Sequence, residues 1–142
     1  MRLVLDTAAL VAAIRSDAGA SRRLLLVGLQ RRLTLLASVP LLIEYQAVLT
    51  RPQHLAASRL RIEDIDVLLD AFAAVAEPVH LAFLWRPSLA DPDDDMVLET
   101  AVNGRADVIV TFNLRDFRRH ALRFGVEALL PGDALKRFER YP

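Results

Sequence analysis

The residues of this chain best suited to chemistry are acids, densest in Asp91-Pro92-Asp93-Asp94-Asp95-Met96-Val97-Leu98-Glu99-Thr100-Ala101. The stretch predicts a helix that opens on carboxylates. Asp91 suits the N-cap and Pro92 the first helical position, and acids in the first turn favour the positive end of the helix dipole. At about 100° per residue, Val97, Leu98, Ala101 and Val102 fall within about 80° of Asp94, which is therefore expected in the middle of the apolar face. Asp93 and Asp95 fall on its flanks, and Met96, Glu99 and Asn103 are expected to point away. A carboxylate aimed at a core needs a partner, either a buried hydrogen bond or ion pair or a metal ion whose charge makes burial tolerable.

Three further segments carry candidate groups. Arg2 to Leu5 is a short apolar run ending at Asp6-Thr7, after which Ala8 to Ile14 has helical composition. Asp6 thus stands at the carboxyl end of a first strand, where open α/β sheets bind ligands, or else serves as an N-cap for the following helix. Leu41, Leu42, Tyr45, Val48 and Leu49 make the stripe of a helix capped by Ser38. Glu44 lies at its border, either solvated or leaning towards the sheet. Asp107-Val108-Ile109-Val110-Thr111 reads as a strand buried in a parallel sheet, and Thr111-Phe112-Asn113-Leu114-Arg115-Asp116-Phe117 follows it with polar groups.

The elements that must position these groups alternate along the chain. A second helix, capped by Ser21 and running to about Arg31, precedes a strand at Leu33 to Ala37. Arg51-Pro52 breaks the pattern, Ile62 to Val75 is an amphipathic helix, and Val79 to Phe83 is a strand expected before a loop at Leu84 to Ser88 that holds Trp85. Asn103-Gly104 stops the acidic helix; Val126 to Leu130 and a closing helix from Gly132 to Arg140 complete the series. Strands separated by helices mean βαβ units and a parallel sheet of four or five strands covered on both faces, a three-layer α/β/α arrangement. Such a sheet delivers its carboxyl ends to one edge, so the acids can converge. Converging carboxylates repel one another unless a divalent cation sits between them, and hard oxygen ligands favour Mg²⁺ or Mn²⁺. That site could polarise a phosphoryl oxygen and activate a water.

Composition narrows the alternatives. With 142 residues, 54% hydrophobic and 25% charged, the chain fits one domain over 1–142 with a sizeable core. The longest uncharged run, Leu33 to Ile43, is interrupted by Pro40 and is too short to span a membrane, and Asp6 comes before any signal-peptide core could form. A cytoplasmic protein with no membrane partner is the expectation. Without cysteine, any metal must be held by oxygen or by His54, His80 and His120, whose spacing is not that of a zinc site; they read as surface or satisfied residues. Zero net charge argues against broad adhesion to nucleic acid. It leaves local arginines, Arg22-Arg23, Arg31-Arg32 and Arg115 with Arg118-Arg119, as nucleic-acid contacts or as solvated faces.

Taken in order, Val4-Leu5-Asp6-Thr7, Glu44, Asp91-Pro92-Asp93-Asp94-Asp95 and Val110-Thr111-Phe112-Asn113-Leu114-Arg115-Asp116-Phe117 resemble the PIN domain family, most closely bacterial toxins of the VapC type, over nearly the whole chain. The resemblance implies an endoribonuclease dependent on Mg²⁺ or Mn²⁺, a homodimer, and an antitoxin that holds it inactive. It assigns Asp6, Glu44 and Asp94 as metal ligands with Asp116 as the fourth acid, supported by Thr7, Asp91, Asp93, Asp95, Thr111 and Asn113, while Arg115 and Arg118 are the nearest candidates to meet RNA. Asn113 stands where many relatives carry aspartate, and Ala8 where many carry Asn. A metal-dependent phosphatase and a degenerate domain that only binds a partner are the other classes open. Ala8, two residues after Asp6, and the lack of a Gly-rich phosphate loop weigh against the phosphatase.

Overall fold

The computed structural model describes residues 1–82 and 92–142, with the backbone alone for Pro92 and Asp93. Its elements are β1 (Arg2–Leu5), α1 (Thr7–Arg15), α2 (Ala20–Leu29), β2 (Thr34–Ala37), α3 (Val39–Leu49), α4 (Pro52–Ser58), α5 (Ile62–Val75), β3 (Glu77–Pro78), α6 (Pro92–Asn103), β4 (Val108–Val110), α7 (Leu114–Leu122), β5 (Glu127–Leu129) and α8 (Pro131–Arg140). The five strands form one parallel sheet in the order β3-β2-β1-β4-β5. Right-handed crossovers put the helices that follow β1 and β2 on one face and those that follow β3 and β4 on the other. The contacts agree: α1, α2, α3, α5 and α8 pack in one layer, and α6 meets α7 across the sheet. This is the three-layer α/β/α arrangement, with a sheet of five strands.

Strand length follows from enclosure. Leu3, Val4, Leu5, Leu35, Leu36, Val108, Ile109 and Val110 are all buried, because both faces of the central strands are covered and no alternation is needed. The edge strand is shorter than expected and earlier. It pairs as Leu36↔Glu77 and Ala37↔Pro78, not over Val79 to Phe83. Pro78 lacks an N–H and is tolerated only at such an edge. Val79 still donates to the Ala37 carbonyl, at 2.8 Å; Phe83 and the loop with Trp85 lie outside the described residues.

Arg2 ties this edge to the far side of β1. Its guanidinium pairs with Glu77 and donates to the carbonyls of Gly104 (2.7 Å) and Arg105 (3.3 Å), while its backbone N–H donates to Asp107 Oδ2 at 2.9 Å. The pairing holds the Glu77 carboxyl below its ordinary range and raises Arg2.

At the starts of α3 and α5 a side chain takes up a terminal N–H. Ser38 Oγ accepts from the Leu41 N–H at 3.3 Å and shares a 2.8 Å hydrogen bond with Thr100 Oγ1, which locks the start of α3 to α6. Asp64 at N3 of α5 accepts from the Arg61 N–H at 2.9 Å. Ser21 does not cap α2; Gly19 does, and Ser21 is buried within the helix. The break at Arg51-Pro52 is a helix start, since proline at the first position gives up only an N–H that the helix leaves unpaired.

The acidic helix departs from its expected facing. Asp95 is 3% exposed and Glu99 only 1%, and Val97, Leu98, Thr100 and Ala101 are buried too. A helix enclosed on nearly every side has no outward face at this level, so Glu99, expected to point away, is inside.

Gly28 marks the closest approach of helix to sheet: a Cβ there would stand 2.6 Å from two carbons of the buried Leu35 side chain. Gly28→Ala is expected to lower stability by roughly 1–2 kcal/mol, the overpacking cost outweighing alanine's helical advantage of about 1 kcal/mol. A urea midpoint equal to or above that of the unsubstituted protein would contradict this packing.

Candidate functional site

The strand order reverses between β1 and β4. Chains leaving these neighbours diverge to opposite faces, opening a crevice outside their carboxyl ends. Asp6 leaves β1 there and Thr111 leaves β4. The register Leu5↔Val110 sets them side by side, and Asp6 N–H donates to the Val110 carbonyl at 2.9 Å. Thr111 Oγ1 then donates to Asp6 Oδ2 at 2.8 Å, with Asp6 7% exposed and Thr111 fully buried.

Asp6 occupies the N-cap position of α1, but its side chain makes no capping bond. Its main-chain carbonyl accepts from Ala9 and Leu10 while its carboxylate turns across the crevice to Thr111. Of the two expectations for Asp6, the geometry matches a carboxylate held at the sheet edge rather than a side-chain cap. From Thr111 the chain of contacts continues. The Asn113 N–H donates to Thr111 Oγ1 at 2.9 Å, and Asn113 Nδ2 donates to Asp116 Oδ2 at 2.7 Å. Asn113 thus aims Asp116, which stands in the first turn of α7, a helix that the polar sequence after β4 concealed. On the other side, the buried Tyr45 hydroxyl donates to the Leu5 carbonyl. Burial, and then the negative charge of Asp6, push this phenol well above its usual range, so it stays a donor.

A cavity of about 410 Å³ opens at this edge, and its walls include Asp6, Glu44, Asp94 and Asp116 with Asn113 and Thr7. Glu44 comes from α3, one residue before Tyr45, and Asp94 from the first turn of α6; both are half-buried. The four expected acids are therefore brought together at the carboxyl edge. Asp95 is buried and does not appear in the lining, Asp93 is described by its backbone alone, and Asp91 lies outside the described residues. Arg51, expected only as part of a break, and His54, expected as a surface or satisfied residue, also line the cavity; the turn at Pro52 is the signal that brings them there.

The arginines singled out by sequence fare differently. Arg115 and Arg118 are exposed on α7 and are not in the lining. Arg22 is committed to structure, donating to the Ala13 and Ile14 carbonyls and pairing with Asp17 at 3.5 Å. Arg32 lies over the Phe138 ring at 5.4 Å, and Arg23 pairs with Glu139 at 3.7 Å.

Does this lining suit a divalent cation? The donors are carboxylates and an amide, hard oxygen ligands of the kind Mg²⁺ and Mn²⁺ take. Their spread is wider than a closed cage: among the described residues no three His, Asp or Glu side chains are gathered tightly enough to hold an ion directly. Mg²⁺ does not demand a cage, since it keeps several waters and is bound through one or two carboxylates. The residues fit on donor type, number and partial burial.

Thr111→Val should cost about 1–3 kcal/mol, because it keeps the shape but leaves a buried carboxylate oxygen and the Asn113 N–H without the hydroxyl between them. Thr111→Ser, which retains the hydroxyl, should lose clearly less. Equal denaturation midpoints for Thr111→Val and the unsubstituted chain would show that this hydroxyl does not hold the site.

The PIN domain family model matches residues 2–115. No curated protein matches the chain. Among solved structures, VapBC2 from Rickettsia felis bound to a DNA fragment from their promoter superposes with a TM-score of 0.59 at 18% identity, over 92% of this chain and 98% of that one; at this identity the likeness is one of fold. The sheet order, the crevice at its reversal and the matched span together place this chain in the PIN domain family.

Proposed function

We propose that this chain is an endoribonuclease dependent on Mg²⁺ or Mn²⁺, the toxin of a toxin-antitoxin pair of the VapC type. The observation that carries the reading is the cavity at the strand-order reversal, where Asp6, Glu44, Asp94 and Asp116 meet on four different elements. PIN domains are generally nucleases, and a four-acid cavity open to solvent suits a polyanionic substrate only when a cation accompanies it.

In this reading Asp6, Glu44, Asp94 and Asp116 would hold the ion, one or two of them directly and the others through its waters. Such an ion supplies Lewis acidity towards a phosphoryl oxygen and a water of lowered pKa. The chain supplies position. Thr111 fixes one oxygen of Asp6, and Asn113 fixes one oxygen of Asp116, so both carboxylates enter the reaction with little left to reorganise. Tyr45 holds the end of β1 from beneath without adding charge. Asp116, half-exposed and steered by a neutral amide, is placed to accept a proton from the attacking water. Asn113, standing where relatives carry an acid, acts here as the positioning group for Asp116.

The antitoxin partner is supported by the neighbour, itself a VapBC2 assembly, and by a groove of about 560 Å³ between α3 and α5 with Val39 and Ile43 exposed at its rim. A homodimer working in the cytoplasm belongs to the same proposal. No helix among the described residues is long and apolar enough to cross a membrane. A domain that only binds partners is the second reading, and the spread of the four acids is the observation that favours it.

Asp94→Asn separates the two. Loss of one ligand should reduce Mn²⁺-dependent cleavage of single-stranded RNA by about 10²-fold or more, the equivalent of several kcal/mol of charge stabilisation. The same change should raise metal-free thermal stability slightly, since one of several mutually repelling charges is gone. Unchanged cleavage, or a fold that collapses only in the variant, would make Asp94 a structural residue and favour the binding-only domain.

A further inference from the structure

The acids of the cavity account for a metal but not for the substrate's own charge. A phosphodiester entering this space brings a negative charge of its own, which carboxylates cannot receive. The cavity has a second wall. Glu44, Val48 and Arg51 follow one another at i, i+4 and i+7 along the face that α3 presents to the cavity, and His54 lies one turn further on α4.

The backbone explains why that face continues past the helix end. Arg51 N–H donates to the Val48 carbonyl at 3.1 Å. Arg51 then adopts extended backbone before Pro52, and its own carbonyl accepts from His54 (3.0 Å) and Leu55 (3.1 Å). The junction re-aims the chain while keeping residues 51 and 54 on the cavity side.

Both side chains are uncommitted in a way that structural residues are not. Arg51 is exposed, and among the described residues it makes no ion pair or side-chain hydrogen bond, in contrast to Arg2, Arg22 and Arg137. Among the described residues, the buried His54 Nδ1 has no hydrogen-bond partner, an arrangement that costs stability and calls for an explanation. Burial and the charges of Arg15 and Arg51 lower the His54 pKa, so near neutral pH the ring offers hydrogen bonds without adding charge. A planar guanidinium that binds phosphate oxygens in bidentate fashion stands beside a neutral imidazole, facing carboxylates across a cavity open to solvent.

We infer that Arg51 and His54 form a phosphate-receiving wall, which positions the phosphodiester of single-stranded RNA against the acidic wall. The inference rests on the nuclease reading for its substrate, but the wall itself can be measured without turnover. Arg51 binds the phosphate as a cation, and His54 donates one neutral hydrogen bond to it. Both are positioning residues.

The test is equilibrium binding of a short fluorescein-labelled oligouridylate at several salt concentrations with Ca²⁺ held constant in place of Mn²⁺, followed by steady-state cleavage with Mn²⁺. Arg51→Ala should weaken binding about tenfold, as for a charged hydrogen bond, and reduce the slope of log K against log salt by about 0.7, one phosphate contact. Arg51→Lys should restore the slope. His54→Gln should weaken binding about threefold with the slope unchanged. In cleavage, the losses should fall on KM and leave kcat nearly as it was, since the wall binds ground state and transition state alike. Thermal midpoints should not move for Arg51→Ala, whose side chain is exposed. An unchanged affinity and slope in Arg51→Ala, or no oligouridylate binding by the unsubstituted protein, overturns the wall. Binding that depends on Arg51 in a protein that never cleaves RNA with Mn²⁺ sinks the nuclease reading and leaves the wall standing.

Discussion

The structure turns on a carboxylate that must stay at the end of a buried strand. Asp6 is 7% exposed, follows three buried residues of β1 and shares its cavity with three other acids. Every neighbour of that kind raises the cost of its charge. A fixed dipole helps to hold it, the Thr111 hydroxyl delivered from β4 across the reversal in strand order, with the hydroxyl in turn engaged by the Asn113 N–H. The sheet order is therefore part of the site. If β1 and β4 were not neighbours, the hydroxyl and the carboxylate would have no route to each other, and the turn after β4 could not carry Asn113 and Asp116 to the same place.

The same constraint explains why the surrounding scaffold is heavily tied. Ser38 joins the start of α3 to Thr100 of α6, so the helix that carries Glu44 and the helix that carries Asp94 are fixed to each other on the way to the cavity. Arg2 binds the edge strand and the turn after α6 to the start of β1, at the opposite end of the sheet. Carboxylates that repel are kept in register by hydrogen bonds made well away from them. An exposed ion pair such as Arg2 with Glu77 adds little alone, but here it shares its guanidinium with two main-chain carbonyls.

Much of this was legible in the sequence because it rests on local pattern. Short apolar runs ended by polar residues marked β1, β2 and β4; Ser38 with Pro40 marked the start of α3; and the order of the acids marked both the edge they share and the family. What escaped did so for physical reasons. In α7 only Phe117 and Ala121 are buried, so a strongly polar helix hid behind a loop-like composition. At Arg51-Pro52 the same dipeptide that ends one helix starts the next, and the cationic side of the cavity went unseen with it. In α6 the rotation argument put Asp94 in the middle of the apolar face and sent Glu99 outward, whereas Asp94 is half-buried at the cavity and Asp95 and Glu99 are buried. An angle around a helix axis describes facing only when one side is open to solvent, and this helix is enclosed.

Enclosure also supplies the sharpest rival location for a cation, since Asp95 and Glu99 stand one turn apart on α6 and are buried at 3% and 1% exposure. Crystals equilibrated with Mn²⁺ and measured for anomalous scattering distinguish the two directly. The account predicts a manganese peak within the cavity, bound by Asp6 and at least one of Glu44, Asp94 and Asp116. A peak at Asp95 and Glu99, or no peak while the crystals diffract and the fold is intact, would contradict it.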